Sequence, residues 1–351
     1  MDSFSIDELT RESGPGEIPR ALIEPYTYIS NIPGNNQNMR YRFLVAFNEM
    51  FFKNDKKKIL SEIGTIISIF HDSSLLIDDI EDSSDTRRGQ ECAHIKYGPP
   101  LTINCGNLMY FEALHRATNV LPNLEEHGSR DLSEISTKTN KILVDEMLNL
   151  HHGQGLDIYW RDVRLREWNL GKCELPSVEE YLRMVMNKTG GLFRLAVKLL
   201  ALFTDNFSDA ETDKLVPFSN LLGIIYQIRD DYMNLVDDRY SEMKGVRGED
   251  LAEGKLSLPI LFALQTAPRN SPLHTALFDY GSAKERLENS DKVVQALDYM
   301  RNETEALMLT YKLLKEYVAK ALAYLKEAGA PSDALLVGVI THLGDVVKPS
   351  M

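Results

Sequence analysis

Cysteine is scarce. Cys92, Cys105 and Cys173 are odd in number and lack metal-ligand spacing, so neither a disulfide framework nor a thiolate metal site is indicated, and a reducing intracellular setting is expected. Positive charge is also in deficit. With 39 Lys and Arg against 52 Asp and Glu, the net charge of −13 argues against nucleic acid as a partner. No uninterrupted apolar run is long enough to span a bilayer: Ile66 to Phe70 and Leu192 to Phe203 are broken by His71, Arg194 or Lys198. Met1 to Glu17 is acidic and polar, unlike a secretory signal, and residues 1–17 are expected to be disordered. A soluble, cytoplasmic chain with no transmembrane segment is the expectation. Missing too are the Gly-x-x-x-x-Gly-Lys-[Ser/Thr] loop and the Gly-x-Gly-x-x-Gly turn, so phosphate would be held neither as in P-loop nor as in dinucleotide-binding folds. No repeat and no Pro/Gly/Ser-rich linker interrupts the 351 residues, and 18–351 read as one domain.

What is present is helical periodicity. Ile59, Leu60, Ile63, Ile66, Ile67 and Phe70 recur at three- and four-residue spacing within Lys58 to Leu76, which buries one helix face. Leu195 to Leu202, Leu221 to Ile228 and Ala306 to Lys326 repeat the pattern, while breaks fall at Pro99-Pro100, Pro122-Asn123, Gly171 to Pro176, Glu242 to Gly254 and Pro268 to Pro272. The chain reads as all-α.

Two acidic clusters stand at the ends of apolar helices: Asp78-Asp79-Ile80-Glu81-Asp82 and Asp230-Asp231-Tyr232-Met233-Asn234. In each, the first and fifth residues lie one turn apart on a shared face. A single such run is commonly a solvated helix face or cap. Two together repel strongly unless a cation lies among them, and magnesium, held by one or two carboxylates plus substrate phosphates, suits the donors. Arg87, Arg88, Lys188-Thr189, Lys244 and Lys255 supply phosphate partners, so a magnesium-bridged diphosphate is the indicated substrate.

At this point the chain resembles the short-chain trans-isoprenyl diphosphate synthases, in particular the fungal and animal geranylgeranyl diphosphate synthases. The likeness is carried by His71 to Asp82, Arg87-Arg88-Gly89, Thr102-Ile103-Asn104, and His152-Gly153-Gln154-Gly155-Leu156-Asp157 through Asp162. It continues in Asn187-Lys188-Thr189-Gly190-Gly191, Gln227-Ile228-Arg229-Asp230-Asp231-Tyr232 and Glu249-Asp250-Leu251-Ala252-Glu253-Gly254-Lys255. The resemblance implies helices around a large central apolar cavity. It also implies condensation of isopentenyl diphosphate with an ionised allylic diphosphate, dependent on three Mg2+ ions. By resemblance Asp78 and Asp82 ligate two ions and Asp230 the third, with Asp79 and Asp231 as ligands or supports and Glu81 facing solvent. Lys188 and Lys255 join Asp78, Asp82 and Asp230 as catalytic. Arg87, Lys188, Thr189, Gln227, Asn234, Lys244 and Lys255 match positions that contact the allylic substrate or bind its diphosphate, and Arg40, His71 and Arg88 the isopentenyl diphosphate pocket. His152 and Trp160, with His151, are read as tunnel or core residues. A homodimer or larger homo-oligomer is implied as well.

One position departs from the family. Where Pro-Gly-Lys-x-x-Arg is usual, this chain reads Pro33-Gly34-Asn35-Asn36-Gln37-Asn38-Met39-Arg40, with Gln37 in the place of the lysine. Loss of one charge-assisted contact weakens binding by about ten- to a hundredfold. Arg247, in an apparent one-residue insertion, could restore some charge. The departure keeps one alternative beside elongation, transfer of a geranylgeranyl chain to indole-3-glycerol phosphate; a non-catalytic regulatory subunit is a further alternative, against which the two complete acidic clusters argue.

Ser73 and Ser74, one turn before Asp78, are too small to stop a growing chain. Since a helical turn advances about 5.4 Å, roughly one isoprene unit, a floor one or two turns deeper gives a product longer than farnesyl. By resemblance Tyr110, Phe111 and His151 form that floor, which implies a twenty-carbon product; Tyr110 and Phe111 as ordinary core aromatics is the competing reading.

Overall fold

The run of apolar residues from Ile59 to Phe70 continues as one helix through the first acidic cluster, Lys57–Glu81, in the computed structural model, which describes residues 17–33, 39–124, 131–205, 207–237 and 248–349. The expectations for residues 1–16, Gln37, Lys244 and Arg247, and for the side chain of Arg40, lie outside the described residues.

In chain order the helices are α1 (Glu24–Ser30), α2 (Met39–Phe47), α3 (Lys57–Glu81), α4 (Ala93–Tyr97), α5 (Pro99–His115) and α6 (Leu132–Tyr159). Then come α7 (Leu165–Asn169), α8 (Val178–Lys188), α9 (Gly190–Phe203), α10 (Asp209–Val236), α11 (Glu249–Glu253) and α12 (Leu258–Leu264). The remainder are α13 (Pro272–Phe278), α14 (Ala283–Glu288), α15 (Ser290–Asn302), α16 (Ala306–Glu327) and α17 (Leu335–Gly344). The all-α expectation is met. Strand is confined, among the described residues, to a hairpin of β1 (Thr86–Arg87) and β2 (Gln90–Glu91).

Local signals explain the helix boundaries. Ser177 with Glu180, and Ser208 with Glu211, form reciprocal capping boxes that start α8 and α10. Pro99 and Pro100 open α5, where the missing N–H groups need no partner. α6 passes through a π-turn at Trp160–Arg164 before α7, a widening often found beside functional sites.

Helix α3 packs against α1, α2, α5 and α9, and α9 lies against α6 and α10. The buried apolar side chains of these helices and of α12 to α17 join in a single cluster. By length and composition α3 is, among the described residues, the one helix apolar enough to cross a membrane. Its neighbours on several sides and twelve-residue buried face, from Ile59 to Asp79, are those of a core helix. Between α2, α3, α5, α6, α9 and α10 the bundle encloses a cavity of about 370 Å³, within the range of small-molecule sites.

Candidate active site

The C-terminal ends of α3 and α10 bring both acidic clusters to the mouth of this cavity. Asp78 and Asp82 line it from α3, Asp230 from α10, and Glu249, Asp250 and Glu253 from α11. Burial alone would raise the Asp78 carboxyl, but Lys188, then Arg87 and Lys255, hold it below the usual carboxylate range. Asp82, pushed up to about 6, is dominated by burial and by the charge of Asp78. Glu253 is driven up by burial and by Asp82. Glu81 is exposed, as expected, and accepts a hydrogen bond from Gln154.

Asp79 is 2% exposed and accepts from Arg87 Nε at 2.8 Å and Nη2 at 2.5 Å. Asp231 accepts from Tyr181 Oη at 2.5 Å, Gln227 Nε2 at 2.8 Å and the Leu258 N–H at 2.9 Å. Protein donors thus hold both carboxylates, as Gln154 and Arg161 hold Asp78 and Asp82, and Asp79 lines the cavity whereas Asp231 does not. Asn234 is buried outside the cavity lining and accepts from the Asp250 N–H at 3.2 Å, so the structure does not bring it together with the other expected diphosphate contacts.

The basic residues arrive by separate routes. Arg88 (φ 52°) and Gly89 (φ 73°) make the two-residue turn of the hairpin, both at positive φ, as a tight turn between right-twisted strands requires. The hairpin sets Arg87 against Asp79, and Arg87 and Arg88 both line the cavity, as does His71. Lys188 ends α8 with its ammonium 2.6 Å from Asp157 and 3.7 Å from Asp78. Lys255 follows α11 and stands 3.7 Å from Asp250. Despite burial, the surrounding carboxylates raise both lysines, so both stay charged. Thr189 donates to Gln227 Oε1 at 2.6 Å, and both line the cavity.

Deeper in, the lining turns apolar: Phe43, Phe47, Ile67, Phe70, Leu75, Ile77, Leu150, Leu192, Phe193 and Ala196. Ser74 faces this space. Ser73 does not: it is fully buried and bonds to the Ile69 carbonyl. Tyr110 closes the depth with Phe70 (5.5 Å between ring centres) and His151 (5.6 Å). Phe111 points outward, 67% exposed, so its place in the floor is corrected. Trp160 is buried in the core, as expected.

Several residues were quoted in sequence motifs without a role. Asp157 holds Lys188, Gln154 bonds Asp78 at 2.8 Å, and Arg161, carried on the π-turn, meets Asp82 Oδ1 at 2.5 Å and the Glu81 carbonyl at 2.8 Å. Behind them, fully buried Glu146 pairs with Arg194 and Lys198. A lone charge within an apolar helix, such as Arg194, was the available signal.

Among the described residues no group of three or more His, Cys, Asp or Glu side chains is arranged to hold a metal by itself. Magnesium fits such a donor set, since it takes one or two hard carboxylate oxygens and fills its shell with water and phosphate oxygens. Carboxylates, lysines and an apolar tunnel in one cavity can bind an anionic head and a greasy tail together.

Residues 19–300 match the family model described as polyprenyl synthetase. The chain is 41% identical over 251 residues to a geranylgeranyl pyrophosphate synthase of Eremothecium gossypii, covering 72% of each chain. To another of that name from Metarhizium robertsii it is 39% identical over 335 residues, 94% of this chain and 88% of that one. The solved geranylgeranyl pyrophosphate synthetase of Pyrococcus horikoshii shares the fold at a TM-score of 0.73 and 21% identity, over 95% of this chain and 92% of that one. With carboxylates, cations and an apolar tunnel arranged as above, the chain belongs to the polyprenyl synthetase family.

Proposed function

We propose that this protein is a magnesium-dependent geranylgeranyl diphosphate synthase that adds isopentenyl diphosphate to dimethylallyl, geranyl or farnesyl diphosphate. One observation carries the reading: a single cavity has Asp78, Asp82, Asp230, Lys188 and Lys255 at its mouth and an apolar depth closed by Tyr110. The fungal relatives of the same name support the product assignment.

Asp78 and Asp82 would hold two magnesium ions and Asp230 a third. When bound, the metal neutralises charge that develops on the departing diphosphate. Arg87, Lys188 and Lys255 donate to that diphosphate, their positions fixed by Asp79, Asp157 and Asp250. The allylic carbon–oxygen bond breaks with its electron pair leaving on the diphosphate. The double bond of isopentenyl diphosphate, its head held by His71 and Arg88 together with Arg40, supplies the electrons of the new carbon–carbon bond, and a proton is then lost. Phe70, Leu75, Ile77 and Leu192 keep water from the cation.

Assembly with a second copy belongs to the same proposal. Helix α5 exposes Ile103 and Phe111 (67%) and helix α6 exposes Val144 and Leu148 (56%), apolar side chains that a second copy would cover.

The test is product analysis after incubation with magnesium, farnesyl diphosphate and labelled isopentenyl diphosphate, beside tubes holding geranylgeranyl diphosphate and indole-3-glycerol phosphate. A labelled twenty-carbon diphosphate is the expected result. Geranylgeranylindole without elongation would replace the reading with indole transfer, and no turnover in any tube would favour a non-catalytic subunit.

A further inference from the structure

A chain of hydrogen bonds runs from the core to the cavity through Tyr181 on α8, Asp231 and Gln227 on α10, and Thr189 between α8 and α9. Tyr181 Oη donates to Asp231 Oδ2 at 2.5 Å, Gln227 Nε2 donates to Asp231 Oδ1 at 2.8 Å, and Thr189 Oγ1 meets Gln227 Oε1 at 2.6 Å. Each link fixes the next. A carboxylate can only accept, so Asp231 settles which end of the Gln227 amide is its NH2. The amide oxygen is thereby turned to Thr189, and the Thr189 hydroxyl must spend its one proton on it. What Thr189 presents to the cavity is then its lone pairs. Asp231 is itself pinned, because the Leu258 N–H also donates to it at 2.9 Å and Tyr181 is 1% exposed.

We infer that Tyr181 is a positioning residue for the reaction proposed above, acting through Asp231 and Gln227 to hold the Thr189 hydroxyl as an acceptor toward the substrate. The inference rests on that reading. Tyr181 is not in the lining of the cavity that receives the allylic chain; it borders a small space shared with Lys188, Thr189, Gln227 and Lys255, and its hydroxyl is committed to Asp231, the first link of the relay. An acceptor favours an electron-poor carbon and gains most when positive charge develops there, so the relay acts on turnover more than on binding. Loss of one such link corresponds to about a tenfold fall in kcat.

The experiment is a double-mutant cycle on the full chain, with Tyr181→Phe, Thr189→Val and the double variant, each checked for native unfolding temperature. Tyr181→Phe is expected to lower kcat about tenfold with KM for the allylic diphosphate nearly unchanged, and to have no further effect in the Thr189→Val background. An equal fall in both backgrounds, or no fall in either, overturns the relay. If Tyr181→Phe does not fold, the cycle of Gln227→Leu with Thr189→Val replaces it, and additivity there overturns the last link. Absence of turnover in the parent chain would reject the proposed function instead, a result separable from additivity.

Discussion

A Cβ atom on Gly153 would stand 2.3 Å from the backbone nitrogen of Lys188 and 2.7 Å from its Cα. Helix α6 thus rests directly on the end of α8, and one turn later Asp157 receives the Lys188 ammonium. Gly153→Ala must push the two helices apart, with an expected loss of about 1–3 kcal/mol in stability and of Lys188 placement. Gly155 has nothing within 4 Å of such an atom. Gly155→Ala should stabilise by about 0.5–1 kcal/mol, since alanine is the better helix former. Denaturant unfolding of the two variants gives opposite signs if α6 and α8 meet as described; equal effects would contradict that contact.

The neighbouring aspartates should separate cleanly. Asp82→Ala and Asp230→Ala are expected to lower kcat at least about a hundredfold while the fold holds. Asp231→Ala removes the acceptor of three donors, Tyr181, Gln227 and the Leu258 N–H, and should destabilise by at least about 1–3 kcal/mol. Calorimetric titration with magnesium and inorganic pyrophosphate would show weakened uptake for Asp82→Ala. If Asp231→Ala unfolds like the parent chain, the anchoring role assigned to it is wrong.

These contrasts show where the sequence was readable. Apolar spacing and the two acidic clusters were sufficient for an all-α bundle with carboxylates at helix ends, and Asp78, Asp82 and Asp230 do share the cavity mouth. Neighbours in sequence part company at the site: Ser74 lines the cavity and Ser73 does not, Tyr110 lines it and Phe111 does not, Asp230 lines it and Asp231 does not. Consecutive helical residues point about 100° apart, so when one faces a cavity the next generally serves another surface. Periodicity alone does not say which. Asp157, Arg161 and Tyr181 escaped for a different reason: their partners Lys188, Asp82 and Asp231 lie on other helices, and only packing joins them.

Product length follows from the same geometry. Tyr110 packs on Phe70 and His151 at the end of the tunnel, whereas Phe111 lies outside it. Tyr110→Ala opens the depth and should yield products beyond twenty carbons, by about one isoprene unit per helical turn freed. Phe111→Ala should leave chain length unchanged. Chromatography of the dephosphorylated products distinguishes them, and lengthening by Phe111→Ala would overturn the floor drawn here.

Phe111 and Leu148 bear instead on assembly. Placing a charge in a covered apolar face is strongly unfavourable, so Phe111→Glu with Leu148→Glu should convert a dimer to monomers in sedimentation velocity. A parent chain that already sediments as a monomer would remove the proposed interface.

His274 is 8% exposed between Trp168 and Phe278, with ring centres 6.3 and 4.3 Å away. Its Nε2 has no hydrogen-bond partner among the described residues. Burial, and then the charge of Arg269, lower its pKa from 6.5, with Asp279 opposing only in part. The fold therefore favours the neutral ring. As pH falls below about 6.5 the unfolded chain takes up a proton that the folded chain refuses, so stability declines until the lowered folded value is passed. Above that window the contribution is fully present. Between about pH 7.5 and about pH 5.5 the unfolding temperature of the parent should drop further than that of His274→Gln, which cannot take up the proton. Equal drops would show that the imidazole titrates alike in both states, and that the aromatic pocket does not hold it neutral.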